Sequence, residues 1–143
     1  MRISDVIRSK GDLVVTVRSD DTVETLLQRL EEHRIGAVVV SDDEGATVAG
    51  IVSERDVVRR LHAVGADVLK EPVSAIMTAA VQTCSPDDEL ETLARQMTDH
   101  RVRHVPVVVD GRLRAIVSIG DIVKHRIDEL QGERDQLVGY IQQ

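Results

Sequence analysis

The chain repeats itself, and that limits what it can fold into more than any other feature. Residues 16–40 and 83–107 align without a gap at an offset of 67, with identities that include Thr16/Thr83, Asp21/Asp88, Glu24/Glu91, Leu26/Leu93, His33/His100, Arg34/Arg101, Val38/Val105 and Val40/Val107. Past a turn the offset becomes 65, where GIVSERDVV (50–58) matches AIVSIGDIV (115–123). Upstream, ISDVI (3–7) parallels VSAIM (73–77) at an offset of 70. A unit of about 60 residues is marginal for a core of its own. Two copies are therefore expected to pack about a pseudo-two-fold axis and share one core.

Each copy predicts the same order of elements. A short apolar stretch (Leu13–Val17; Val81–Cys84) leads to a helix whose opening Asp21/Glu24 or Asp88/Glu91 has capping-box spacing. Val23, Leu26, Leu27 and Leu30 fall on one helical face, as do Leu90, Leu93, Ala94 and Met97. Valine-rich strands follow at Ala37–Val40 and Val105–Val109, then acidic glycine turns (SDDEG, 41–45; DG, 110–111). Second strands (Val48–Val52; Leu113–Val117) run into helices at Ser53 and Ser118. The fold class is thus α/β (α+β): strand–helix–strand–strand–helix twice, packed through small mixed sheets. The divisions fall at 1–65, 66–126 and a helical extension at 127–143.

Composition narrows the function. There is no Phe or Trp, and the one Tyr is Tyr140, so the core is aliphatic and nothing in the body of the chain can stack a base on a ring. A net charge of −7 argues against nucleic acid as a partner. No apolar run approaches the roughly 18 residues of a membrane span. The N-terminus lacks the apolar stretch of a signal peptide, and a single cysteine excludes an internal disulfide. The cytoplasm is the expected location.

The element that carries chemistry is Ser53-Glu-Arg-Asp56 with its partner Ser118-Ile-Gly-Asp121. In each, a strand ends and a helix begins. Free N–H groups and the helix dipole at such a point favour phosphate, and an ionised Asp can accept both hydroxyls of a ribose. The same spacing equally describes a helix cap that needs no ligand, and the two roles are compatible.

These elements, with His33-Arg34-Ile-Gly-Ala-Val-Val-Val, His100-Arg101-Val-Arg-His-Val-Pro106-Val and Ile76-Met77-Thr78, resemble the cystathionine-β-synthase (CBS) domain. Two copies resemble the CBS pair called a Bateman module, over about residues 3–125. The resemblance implies a sensor that binds adenosine-containing ligands (AMP, ADP, ATP, S-adenosylmethionine or NAD-type dinucleotides) between the repeats. It implies that Asp56 and Asp121 hold the ribose, with Ser53 and Ser118 near ribose or phosphate. It places the adenine against Val15, Thr16, Ile35, Gly36, Ala37 and Val38 in one site. In the other it uses Val81, Thr83, Val102, Val105 and Pro106, and the Met77-Thr78 element contributes as well. The adenine nucleotide would be a regulatory ligand and not an obligatory cofactor. A homodimer and a separate effector protein are the implied partners.

The copies also differ. Arg103 and His104 replace Gly36 and Ala37, and Arg55 replaces Gly120. Arg103 could pair a phosphate, His104 could make affinity pH-dependent, and Lys10 and Arg55 could serve phosphates of the first site. Each could equally be a solvated surface charge. His33 and His100 read as structural, with no partner at metal-ligand spacing, and no metal site is expected. Nothing orients Cys84 and His104 as nucleophile and base, so no catalysis is expected. After Asp121 the helix runs on, with Val123, Ile127, Leu130, Leu137 and Ile141 on a heptad seam that Arg134 interrupts. That pattern suits packing on a second subunit or back on the module.

Overall fold

The structure is a computed structural model that describes residues 1–11 and 13–142. Asp12 and Gln143, the last residue of the expected extension, lie outside the described residues. In chain order the elements are α1 (Ile3–Lys10), β1 (Thr16–Val17), α2 (Val23–His33), β2 (Ala37–Val40), β3 (Gly50–Ser53), α3 (Glu54–Val64), two 3-10 turns (Gly65–Lys70, Val73–Ala75), α4 (Leu90–His100), β4 (His104–Val109), β5 (Arg112–Ser118) and α5 (Ile119–Gln142).

The repeat holds at the level of hydrogen bonds. β1 pairs parallel to β2 with Val17 opposite Val40, and Cys84 pairs parallel to Val107, the same register 67 residues on. β2 pairs antiparallel with β3, and β4 with β5. Both α2 and α4 end on an arginine in the left-handed region, Arg34 and Arg101, with φ of 53° and 55°. The Asp110–Gly111 turn joins β4 to β5 with both φ positive, as a two-residue hairpin requires.

Three expectations change. First, the helices begin at Val23 and Leu90, one residue later than a cap at Asp21 or Asp88 would place them. The two carboxylates instead close the preceding turns, Asp21 accepting from the Arg18 N–H at 2.9 Å and Asp88 from the Ser85 N–H at 2.8 Å. Thr22 caps α2 by accepting the Thr25 N–H. Second, the stretch Leu13–Val17 pairs only at Thr16–Val17, and of Val81–Cys84 only Cys84 pairs.

Third, there are two cores, and each takes a segment from the other repeat. One joins Val17, Val23, Leu26, Leu30, Val38, Val40, Val52 and Val57 to Val68 and Val73. The other joins Leu90, Leu93, Met97, Val105, Val107, Ala115, Val117 and Ile122 to Ile3 and Val6 of α1. The exchange is symmetrical down to its backbone bonds. The Ile3 N–H donates to the Asp88 carbonyl as Val73 does to Asp21, Ser4 to Pro86 as Ser74 to Ser19, and Leu90 to Met1 as Val23 to Glu71. The repeat units alone cannot close their cores, and the borrowed aliphatic side chains complete them.

Alternation along the strands shows what covers the opposite sheet faces. Val38 and Val40 point into one core, so Ala37 and Val39, also buried, point the other way. A methyl group at Gly36 would lie 3.4 Å from Glu54 Oε1 and 3.9 Å from His104 Cε1, so the first repeat meets β4 of the second at this face. The Leu113 N–H donates across to the Ala46 carbonyl at 2.9 Å.

Candidate functional site

Both Ser-x-x-Asp elements form the same structure. β3 ends at Ser53, whose N–H donates to Asp56 Oδ2 at 2.8 Å and whose hydroxyl donates to the same oxygen at 3.1 Å. The Asp56 N–H returns to Ser53 Oγ at 3.4 Å. Ser118 and Asp121 repeat these contacts at 2.9, 3.0 and 3.2 Å. The cap therefore exists in both copies and uses one carboxylate oxygen. Among the described residues no donor reaches Oδ1 of Asp56 or of Asp121, which leaves one acceptor free on each half-exposed side chain. Cap and ligand site remain compatible in this geometry.

The strands bring the right neighbours to each junction. The Glu54 N–H donates to the Gly36 carbonyl at 2.9 Å and Ala37 pairs with Ser53. In the second copy the Ile119 N–H donates to the Arg103 carbonyl at 2.8 Å and His104 pairs with Ser118. Thr78 exchanges two 2.9 Å backbone bonds with Ile51, and Met77 packs so close to Gly50 that an added Cβ would lie 2.8 Å from its sulfur. Met77 and Thr78 thus stand beside the Ser53–Asp56 strand.

Lys10 is not where the sequence suggested. Its ammonium donates to Asp121 Oδ2 at 2.6 Å and to the Ile116 carbonyl at 2.8 Å. Lys10 therefore serves the second junction, because the α1 segment is exchanged onto the second repeat. Burial pulls the Asp121 carboxyl upward, but the Lys10 ammonium and the Ser118 N–H and hydroxyl outweigh it and hold the carboxyl below its ordinary 3.8. Arg55 and Arg103 are exposed near the two junctions.

Other expected adenine contacts are placed differently. Val38 and Val105 are 1% and 2% exposed and belong to the cores, so their side chains line no open surface. Ala37 and Pro106 are buried too; the Pro106 carbonyl accepts from the Cys84 N–H at 3.0 Å. Ile35, Val15 and Val102 flank the cores and are half-buried, as is Val81, while Thr83 is exposed. Val15 and Thr16 line a cavity of about 440 Å3 with Arg18, Arg29, His33 and Glu44, which includes neither Ser53 nor Asp56. A second cavity, about 260 Å3, lies between Met1, Leu90, Ala94, Ile122 and Arg126 and includes neither Ser118 nor Asp121.

Glu54 is a residue the sequence reading passed over. It sits beside Gly36 and His104 at the meeting of the repeats, and the signal was available: it stands where the second copy has the apolar Ile119. His104 is held below the ordinary histidine range of 6.5, first by burial and then by Lys10 and Arg103, against the pull of Asp121 and Glu54. Burial, with the Asp88 charge adding to it, pushes the Cys84 thiol up to about 12. Cys84 is a packed thiol whose Sγ faces the Pro106 carbonyl at 3.7 Å.

Duplicated, exchanged repeats with paired strand-end Ser-x-x-Asp caps match the profile of the CBS domain over residues 3–63 and 73–128. The chain belongs to the CBS domain family, as a pair of repeats. It is 36% identical over 147 residues to the CBS domain-containing protein CBSX3, mitochondrial, of Arabidopsis thaliana, covering 98% of this chain and 71% of that protein. It is similar to the crystal structure of the CBS-domain containing protein ATU1752 from Agrobacterium tumefaciens, with a TM-score of 0.85 and 43% identity over 88% of this chain and 99% of that one. It is also similar to the CBS domain pair of protein MJ0100 in complex with 5′-methylthioadenosine and S-adenosyl-L-methionine, with a TM-score of 0.77 and 25% identity over 87% of this chain and 98% of that one. No helix among the described residues is long and apolar enough to cross a membrane.

Proposed function

We propose that this CBS pair is a regulatory sensor that binds adenosine-containing ligands at its Ser-x-x-Asp junctions and signals to a separate effector protein by changing shape. The observation that carries the reading is the half-used aspartate. Asp56 spends Oδ2 on the cap and keeps Oδ1 for a ribose hydroxyl, at a helix N-terminus suited to phosphate. The CBS pair of MJ0100 in complex with two adenosine compounds supports the same class of ligand. The test is calorimetric titration of wild type, Asp56→Ala and Asp121→Ala with AMP, ATP, NAD(H) and S-adenosylmethionine. Binding that weakens in either variant supports the reading; no binding by the wild type, or unchanged affinity in both variants, overturns it.

A second reading has its own observation. Val123, Ile127, Leu130, Leu137 and Ile141 are all exposed along α5, so the heptad seam does not pack back on the module. A lone helical stretch of this length, weakened by Gly132 and Gly139, is marginal in water without a partner. We propose that α5 joins two copies into a homodimer. A dimer by light scattering that dissociates on Ile127→Asp, with no response to any nucleotide, would favour a ligand-independent interaction module.

A further inference from the structure

The two junctions differ in their charged side chains, and the repeat fixes which positions differ. Lys10 sits on Asp121, whereas its counterpart 70 residues on is Ala80. Arg103 and His104 flank the second junction where the first has Gly36 and Ala37. Conversely, Glu54 and Arg55 flank the first where the second has Ile119 and Gly120. Lys10, Arg103 and His104 thus gather at Asp121, with Glu54 beside the same histidine, while among the described residues no lysine reaches Asp56, whose carboxylate bonds only to its own cap.

We infer that Lys10 sorts ligands between the two junctions: Asp56 accepts an adenosine compound without phosphate, and Asp121 accepts only one that carries a phosphate. The inference rests on the adenosine reading above. A ribose diol that takes both carboxylate oxygens of Asp121 meets the Lys10 ammonium already on Oδ2 at 2.6 Å, and displacing it leaves that ammonium with the Ile116 carbonyl alone. A phosphate offers that ammonium a new anion within the swing of a flexible side chain, so the exchange costs little. At Asp56, among the described residues, no ammonium competes for the carboxylate, so a neutral ribose binds there without displacing a charged donor.

The test isolates the second junction in the full-length Asp56→Ala chain and titrates it by calorimetry with adenosine and with AMP. AMP is expected to bind and adenosine not. Adding Lys10→Met should admit adenosine and weaken AMP by roughly tenfold or more, the scale of one hydrogen bond to a charged group. Lys10→Arg should restore the preference for AMP. Equal binding of the two ligands with Lys10 in place, or a Lys10→Met change that moves neither, overturns the sorting role. A wild-type chain that binds neither ligand overturns the adenosine reading itself, and is told apart by the absence of any heat at the Asp56 junction.

Discussion

The backbone N–H of Ser53 lies 2.8 Å from Oδ2 of Asp56, so the residue proposed to hold a sugar already holds the start of a helix. Structure and binding are therefore tied to one side chain, and substitutions can separate them. Asp56→Ala should cost about 1 kcal/mol of stability as a lost cap and also abolish binding at that junction. Asp56→Asn keeps an amide oxygen for the cap and should retain most of the melting temperature while weakening the ligand. Ser53→Ala should do the reverse. Calorimetric scanning and titration of the three variants decide it; an Asp56→Ala chain that loses only melting temperature would leave the cap as its whole role.

Ile3 is the third residue of the chain and is fully buried in the core of the second repeat. Ile3→Ala should cost about 2–5 kcal/mol, the range for truncating a buried aliphatic side chain. Urea denaturation against Leu13→Ala, an exposed control, measures it.

Gly50 has no room for a side chain. A Cβ there would lie 2.8 Å from the Met77 sulfur and 2.9 Å from the Thr78 carbonyl oxygen. The sulfur can move, but the carbonyl is fixed by its bond to the Ile51 N–H at 2.9 Å. Gly50→Ala should cost about 1–3 kcal/mol by overpacking, and adding Met77→Ala should recover only part of it. Full recovery in the double variant would show that the backbone contact does not matter.

His104 should make stability fall on mild acidification. Its pKa is lower folded than unfolded, chiefly through burial and then through Lys10 and Arg103, with Asp121 and Glu54 opposing. Between the unfolded value of 6.5 and the lower folded one, the unfolded chain binds the extra proton, so stability is full above that window and lost as pH falls through it. Asp121 adds a second loss further down, its contribution being complete above 3.8. Urea midpoints from pH 8 to 4.5 should show a smaller decline in His104→Gln than in the wild type.

The sequence showed the repeat, its strands and both Ser-x-x-Asp junctions because these are local patterns, and a pattern printed twice is its own control. It did not show which segment completes which junction. Lys10 is near the first repeat in the chain but reaches Asp121, 111 residues away, because α1 is exchanged onto the second repeat. Nor did periodicity reveal that Val38 and Val105 face the cores: in a strand apolar on both faces, alternation of side chains leaves no alternation of residue type to read. The cap at Thr22 was hidden by Asp21, a better capping residue by type, whose carboxylate is used by the turn before it.

The crossed N-terminal segments also govern how this gene can be cut. A break between residues 63 and 73, the gap separating the two CBS matches, deprives the first fragment of Val73, and of Val68 too when it falls before that residue, and the second of Ile3 and Val6. Each fragment then lacks aliphatic side chains that its core takes from the other. Mixed together, the two halves supply each other's missing side chains, so a split version of this chain should work as a complementation pair rather than as two separate modules.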